Sequence, residues 1–116
     1  MTIKKLAALA FILTVAVAGQ AAAHPPTNVK LSWDGAGQTL SVKADHRVND
    51  KTKHYVMSMS VSGPSGQLVS ERYDSQGTNE GFSDTVELSG VKPGDKLSVE
   101  LVCNIMGTAT KEITIK

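Results

Sequence analysis

Five side chains in this 116-residue chain could do chemistry that the others cannot: His24, His46, His54, Cys103 and Met106. They include every histidine of the chain and its only cysteine. Imidazole, thiolate and thioether together are a donor set that suits transition metals. Each residue alone also has a plainer role. His24 reads as a frayed end of a processed chain, His46 and His54 as solvated loop residues, Cys103 as a buried apolar thiol, and Met106 as a cap on the core. A metal reading therefore requires that the fold bring them to one place. The choice of metal is narrower. The carboxylates follow no calcium-loop spacing, and there is no Cys-x-x-Cys pair of the kind structural zinc uses. Iron or copper remains.

The elements that must position these residues are short strands cut by turn signals. Val29, Leu31 and Trp33 alternate before Asp34-Gly35-Ala36-Gly37, and Leu40, Val42 and Ala44 alternate after it. Tyr55, Met57, Met59 and Val61 predict a third strand, ended by Ser62-Gly63-Pro64-Ser65-Gly66. A weaker fourth covers residues 67–72, and Phe82, Val86 and Leu88 mark a fifth before the turn Lys92-Pro93-Gly94-Asp95. Leu97, Val99, Leu101 and Cys103 share one face of a sixth, and Ile113 and Ile115 lie in a seventh. No segment from residue 24 onward keeps a helical period over three turns. Seven strands with turns about every 8–12 residues predict an all-β, antiparallel sandwich of immunoglobulin type. If each strand reverses direction, the start of the first, the second-to-third loop and the sixth-to-seventh turn fall at the same end. Strand counting thus gathers all five candidate ligands there.

The remaining composition sets bounds. Residues 1–23 have a charged start at Lys4 and Lys5, thirteen apolar-stretch residues from Leu6 to Ala18, and small residues at Ala21, Ala22 and Ala23. That is the layout of a secretory signal, and the stretch falls short of the roughly 20 apolar residues a membrane span needs. Cleavage after Ala23 is expected. It leaves residues 24–116 as one exported domain, periplasmic or secreted, without a membrane anchor and with His24 at its start. Without Lys4 and Lys5 the formal charge moves from +1 to −1. A near-neutral domain lacks the basic excess that nucleic-acid binding needs, and its size excludes a large enzyme with a deep cleft. A lone cysteine forms no internal disulfide.

The strings Asp45-His46-Arg47-Val48, Lys53-His54-Tyr55-Val56 and Cys103-Asn104-Ile105-Met106-Gly107 resemble the iron-site motifs of superoxide reductases, the desulfoferrodoxin and neelaredoxin group. The resemblance runs from about His24 to Gly107. It implies an immunoglobulin-like sandwich carrying one non-haem iron, ringed by four histidines in a plane, with a cysteine thiolate behind and the sixth position open to superoxide. On that reading His46 and His54 are equatorial ligands and Cys103 is the axial one. His24-Pro25 is similar to the first histidine of the family. Met106 stands where the family has its last histidine, and a neutral thioether binds ferrous iron less readily than imidazole.

Three other departures accompany Met106. The loop from His46 to His54 is longer than the family's. The family's Glu-Lys pair before its first histidine is replaced by Ala22 and Ala23, and no four-cysteine rubredoxin-like centre exists. Lys51 and Lys53 are the candidates to take over from the missing lysine. Three readings follow. The first is an iron protein that reduces superoxide to hydrogen peroxide with electrons from a redox donor protein. The second is a copper protein, for which histidine, cysteine and methionine are also the usual donors, and in which the α-amine and ring of His24 could chelate together; the order Cys-x-x-Met after both histidines is unusual for such sites. The third is a metal-free binding or structural sandwich.

Overall fold

The computed structural model describes residues 24–116, so the expected signal segment lies outside the described residues. Seven strands follow one another: β1 (Thr27–Asp34), β2 (Thr39–Asp45), β3 (Val56–Gly63), β4 (Gly66–Arg72), β5 (Gly81–Glu87), β6 (Lys96–Cys103) and β7 (Thr108–Thr114). They form a three-stranded sheet of order β1-β2-β5 and a four-stranded sheet of order β4-β3-β6-β7. Every pairing is antiparallel, and no described residue is helical. The all-β, immunoglobulin-like sandwich expected from the strand pattern is what the chain forms.

The period-2 alternation explains the core. Leu40, Val42 and Ala44 of β2 face Val61 and Met59 of β3 and Leu97, Val99 and Leu101 of β6 across the two sheets, and all are buried. Burying a side chain of this size contributes about 1.5–3 kcal/mol, so these rows hold the sheets together. Strand β4 pairs with β3 and leaves β5 alone on its outer side. In a constant-type immunoglobulin domain the fourth strand joins the other sheet. Here only Pro64 and Ser65 separate Gly63 from its partner Gly66, whose φ is +124°. So short a loop can only return the chain along its own neighbour.

Two local readings need correction. The alternation Tyr55, Met57, Met59, Val61 breaks at Met57, where the register against β6 slips between Val56 and Ser58. Val56 is fully buried in place of Met57. A bulge of this sort adds one residue to a strand and re-aims what precedes it. The seventh strand runs Thr108–Thr114, so it holds Ile113 but ends one residue before Ile115.

Candidate metal site

His46 continues the inward row of β2. Leu40, Val42, Ala44, His46 and Val48 alternate with exposed residues, and His46 is only 1% exposed. The strand therefore drives an imidazole to the end of the core. A buried polar ring needs partners, and both of its nitrogens here face acceptors, of which a neutral ring can donate to one. Its Nδ1 lies 2.8 Å from Oε1 of Gln76 and its Nε2 lies 3.1 Å from the carbonyl oxygen of His24.

His24 precedes β1 and reaches the same place because Thr27 pairs with Asp45. Its Nε2 donates to the carbonyl of Arg47 at 2.9 Å. The next residue, Pro25, is pressed by the β6–β7 turn: a Cβ on Gly107 would lie 2.7 Å from the Cβ of Pro25, and Gly107 has a φ of +99°. Glycine is required there for both conformation and closeness. A second close approach occurs at Gly81, where a Cβ would overlap the carbonyl of Ala44 two residues before His46.

His54 is placed by three devices. Asp50 organises the loop before it, accepting from Thr52 N–H at 2.9 Å and Thr52 Oγ1–H at 2.6 Å, while its carbonyl accepts from the amides of Lys53 and His54. The Thr52 hydroxyl, then its amide, hold the exposed Asp50 carboxyl below its ordinary range. Asn104 then clamps the backbone on both sides of His54, accepting from Tyr55 N–H at 2.8 Å and donating to the carbonyl of Lys53 at 3.0 Å. The bulge at Met57 does the rest. It shifts the alternation by one, so His54 falls on the inner side with Val56.

His46 packs edge to face against both His24 and His54, which are tilted to each other by 59°. The ring centroids are 4.9 Å apart for His24 and His46, 5.4 Å for His24 and His54, and 4.8 Å for His46 and His54. One nitrogen from each lies within 4.8 Å of the others. Imidazole nitrogens about 2.1 Å from a shared metal are at most about 4.2 Å apart, so a small contraction closes the set. The Nε2 of His54 is buried and has no hydrogen-bond partner. Burial, then the nearness of His46 and His24, holds the His54 pKa below the ordinary histidine value. That shift favours the neutral ring, which has a lone pair to offer. A buried nitrogen without a partner, in a ring of other imidazoles, is what a bound metal ion would satisfy.

The other two candidates stand differently. Cys103 ends β6 opposite Val56, is buried and unpaired with any other thiol, and closes the turn by donating its N–H to the carbonyl of Gly107 at 3.0 Å. It lies outside the three-histidine group. Met106 sits in that turn and is 54% exposed, beside Ile105 at 55%. Of the two lysines weighed for drawing in an anion, Lys51 donates its ammonium to the carbonyl of Gly77 at 2.9 Å, and Lys53 is exposed.

The segment of residues 73–80 between β4 and β5, which no motif singles out, backs the site. Its Glu80, Asn79 and Gln76 exchange main-chain bonds with His46, Val48 and Lys51. The same strand count that gathers the histidines puts this segment at their end. No residue-type signal marks Gln76 as special.

One solved structure with this architecture is a superoxide reductase (1Fe-SOR) from Giardia intestinalis, with a TM-score of 0.55 and 16% identity over 79% of this chain and 97% of that one. The fold is that of a superoxide reductase. A second superoxide reductase, solved in its oxidised state, gives a TM-score of 0.49 and 14% identity over 80% of this chain and 90% of the other. No protein-family model matches the sequence, and no curated protein does. The resemblance to superoxide reductases first read from short motifs thus extends to the whole sandwich. Its three histidines form a cluster able to take a metal at the end of that superoxide-reductase fold.

Proposed function

We propose that this is an exported iron protein of superoxide-reductase type, with a single non-haem iron held by His24, His46 and His54 and with Cys103 as its thiolate. One observation carries the proposal: three histidine nitrogens lie within 4.8 Å of each other on a superoxide-reductase fold, the Nε2 of His54 being buried without a partner. Ferrous iron bound there would supply the one electron that, with two protons, turns superoxide into hydrogen peroxide. The chain's own contribution is to fix three imidazoles before the metal arrives and to keep His54 unprotonated. The exposed turn at Ile105 and Met106 leaves the tip open to a small anion, with Lys53 nearby in sequence to attract it. A redox donor protein returns the electron.

The test is to express the whole chain in medium supplemented with iron and copper, measure its metal and optical spectrum, and follow peroxide formed from superoxide. A single iron per chain, a thiolate-to-ferric band and peroxide production lost in His54→Ala are expected. Met106→His should raise iron affinity by restoring a fourth imidazole. A protein that takes up neither metal ends the proposal.

A second reading has its own support. Cys103 stands outside the histidine group, and three imidazoles without a thiolate suit copper at least as well as iron, since divalent copper binds such sites most tightly. Copper in place of iron in the same measurement selects it.

A further inference from the structure

We infer that Gln76 is a positioning residue that fixes the tautomer and orientation of His46, leaving Nε2 as the nitrogen His46 can offer to a metal. The inference rests on the proposed metal site for its purpose, but its chemistry is contained in the hydrogen bonds. Gln76 is 6% exposed, one of two buried polar side chains among the described residues, and the other is His46. Its amide makes four bonds. The Nε2 donates to the carbonyls of His46 at 2.7 Å and Thr78 at 3.1 Å. The Oε1 accepts from the backbone N–H of Val56 at 3.1 Å and faces His46 Nδ1 at 2.8 Å.

Two of these groups are obligate acceptors and one is an obligate donor. A backbone N–H can only donate, so the atom facing Val56 is the oxygen. Carbonyls can only accept, so the atom facing His46 and Thr78 is the nitrogen. Flipping the amide would set like against like at all three. The oxygen therefore faces His46 as well, and Nδ1 must carry the proton to meet it. A neutral imidazole has one N–H. The Nε2 of His46 is then the lone pair.

That lone pair lies 3.1 Å from the carbonyl oxygen of His24, another acceptor. Two acceptors at this distance gain nothing from each other, whereas a cation gains from both. Gln76 thus holds His46 in the state that a metal needs and that hydrogen bonding alone would not favour. The same amide also ties the end of β2 to the first residue of β3, so it fixes the spacing between the His46 and His54 segments. Partners that orient a ligating histidine through its other nitrogen typically affect metal affinity about 10–100-fold.

The test uses the metal-free chain, Gln76→Met and Gln76→Glu. Two-bond proton–nitrogen spectra, recorded above the histidine titration range, report the tautomer of each ring. Wild type should show His46 protonated at Nδ1, and so should Gln76→Glu, whose carboxylate keeps both accepted bonds but gives up the two that the amide donates to the His46 and Thr78 carbonyls. Gln76→Met should show a mixture or the opposite tautomer, with His24 and His54 little changed. Titration with Co2+ should give a Kd raised about 10–100-fold in Gln76→Met. If Gln76→Met does not fold, the wild-type and Gln76→Glu spectra still decide. An Nε2–H tautomer in wild type, or an unchanged tautomer in folded Gln76→Met, overturns the inference. Failure of wild type to take up Co2+ counts against the metal site instead, and the tautomer result then stands by itself.

Discussion

At one end of the sandwich, Asp34 accepts from the amide of Ala36 two residues on, and Asp95 accepts from the amide of Lys92 three residues back. At the other end, Gln76 bonds His46 across 30 residues and Asn104 bonds Lys53 across 51. Both ends must satisfy the backbone groups that the strands leave behind. At the first end the side-chain bonds stay within each turn, as at Asp34 and Asp95, and only main-chain bonds such as Gly94 N–H to the carbonyl of Ile115 at 2.7 Å join one segment to another. At the second end side-chain bonds run between loops, so no loop there is complete without its neighbours. Two turns there are closed by their own side chains, Asp50-Thr52 and Thr78-Gly81, and each is also tied to a distant segment, the first through Asn104 to Lys53 and the second through Gln76 to Thr78 and His46. Local turns give stability that is independent of the site. Interlocked loops give a site whose geometry any one of them can spoil.

The sharpest separation of the two ends should come from the core. Leu97 is fully buried where β6 leaves the turn end, and Leu97→Ala should cost about 2–5 kcal/mol in urea unfolding. The molecules that remain folded should bind metal with unchanged affinity. A loss of affinity in them would show that the ends are not independent.

A matched pair of glycines comes next. Both Gly107 and Gly94 have positive φ, but a Cβ on Gly94 meets open space while one on Gly107 meets Pro25 at 2.7 Å. Gly94→Ala should cost about 1 kcal/mol through backbone strain alone and leave metal binding intact. Gly107→Ala should cost about 2–3 kcal/mol and weaken metal binding, because Pro25 must move and carries His24 with it. Equal effects of the two on metal affinity would break the comparison.

The smallest effect should be in the pH profile of the metal-free protein. The folded-state pKa of His54 is lowered, so the unfolded chain binds a proton there first and stability falls as pH drops below about 6.5. Tyr73 follows β4, and its hydroxyl donates to Asp84 on β5, joining the two sheets at the site end. Burial and that carboxylate raise its pKa far above the ordinary value of 10.0. The unfolded chain then loses its proton first, and stability falls as pH rises above about 10. Chemical unfolding across pH should show the acid limb flattened in His54→Gln and the alkaline limb flattened in Tyr73→Phe. Neither limb should change in Gly94→Ala.

Much of this was open to reading in the chain itself. Alternation in Leu40-Val42-Ala44 and Leu97-Val99-Leu101, with Gly and Asp at the reversals, set the seven strands, because side-chain parity and turn chemistry are local properties. Counting those strands brought three histidines to one end. The donor types pointed to a transition metal, and the motif strings to the superoxide-reductase fold.

What the tertiary structure decided is non-local. The partner of β4, the bulge at Met57 and the inward turn of His54 depend on register between strands, which alternation within one strand does not encode. The roles of Gln76 and Asn104 depend on which buried backbone groups happen to lie beside them, and an amide side chain carries no pattern that foretells this. The same reason separates the five candidate ligands. Their chemistry is written in the sequence, but the approach of three rings to within 4.8 Å, with Cys103 outside that group, follows from how the loops close on one another.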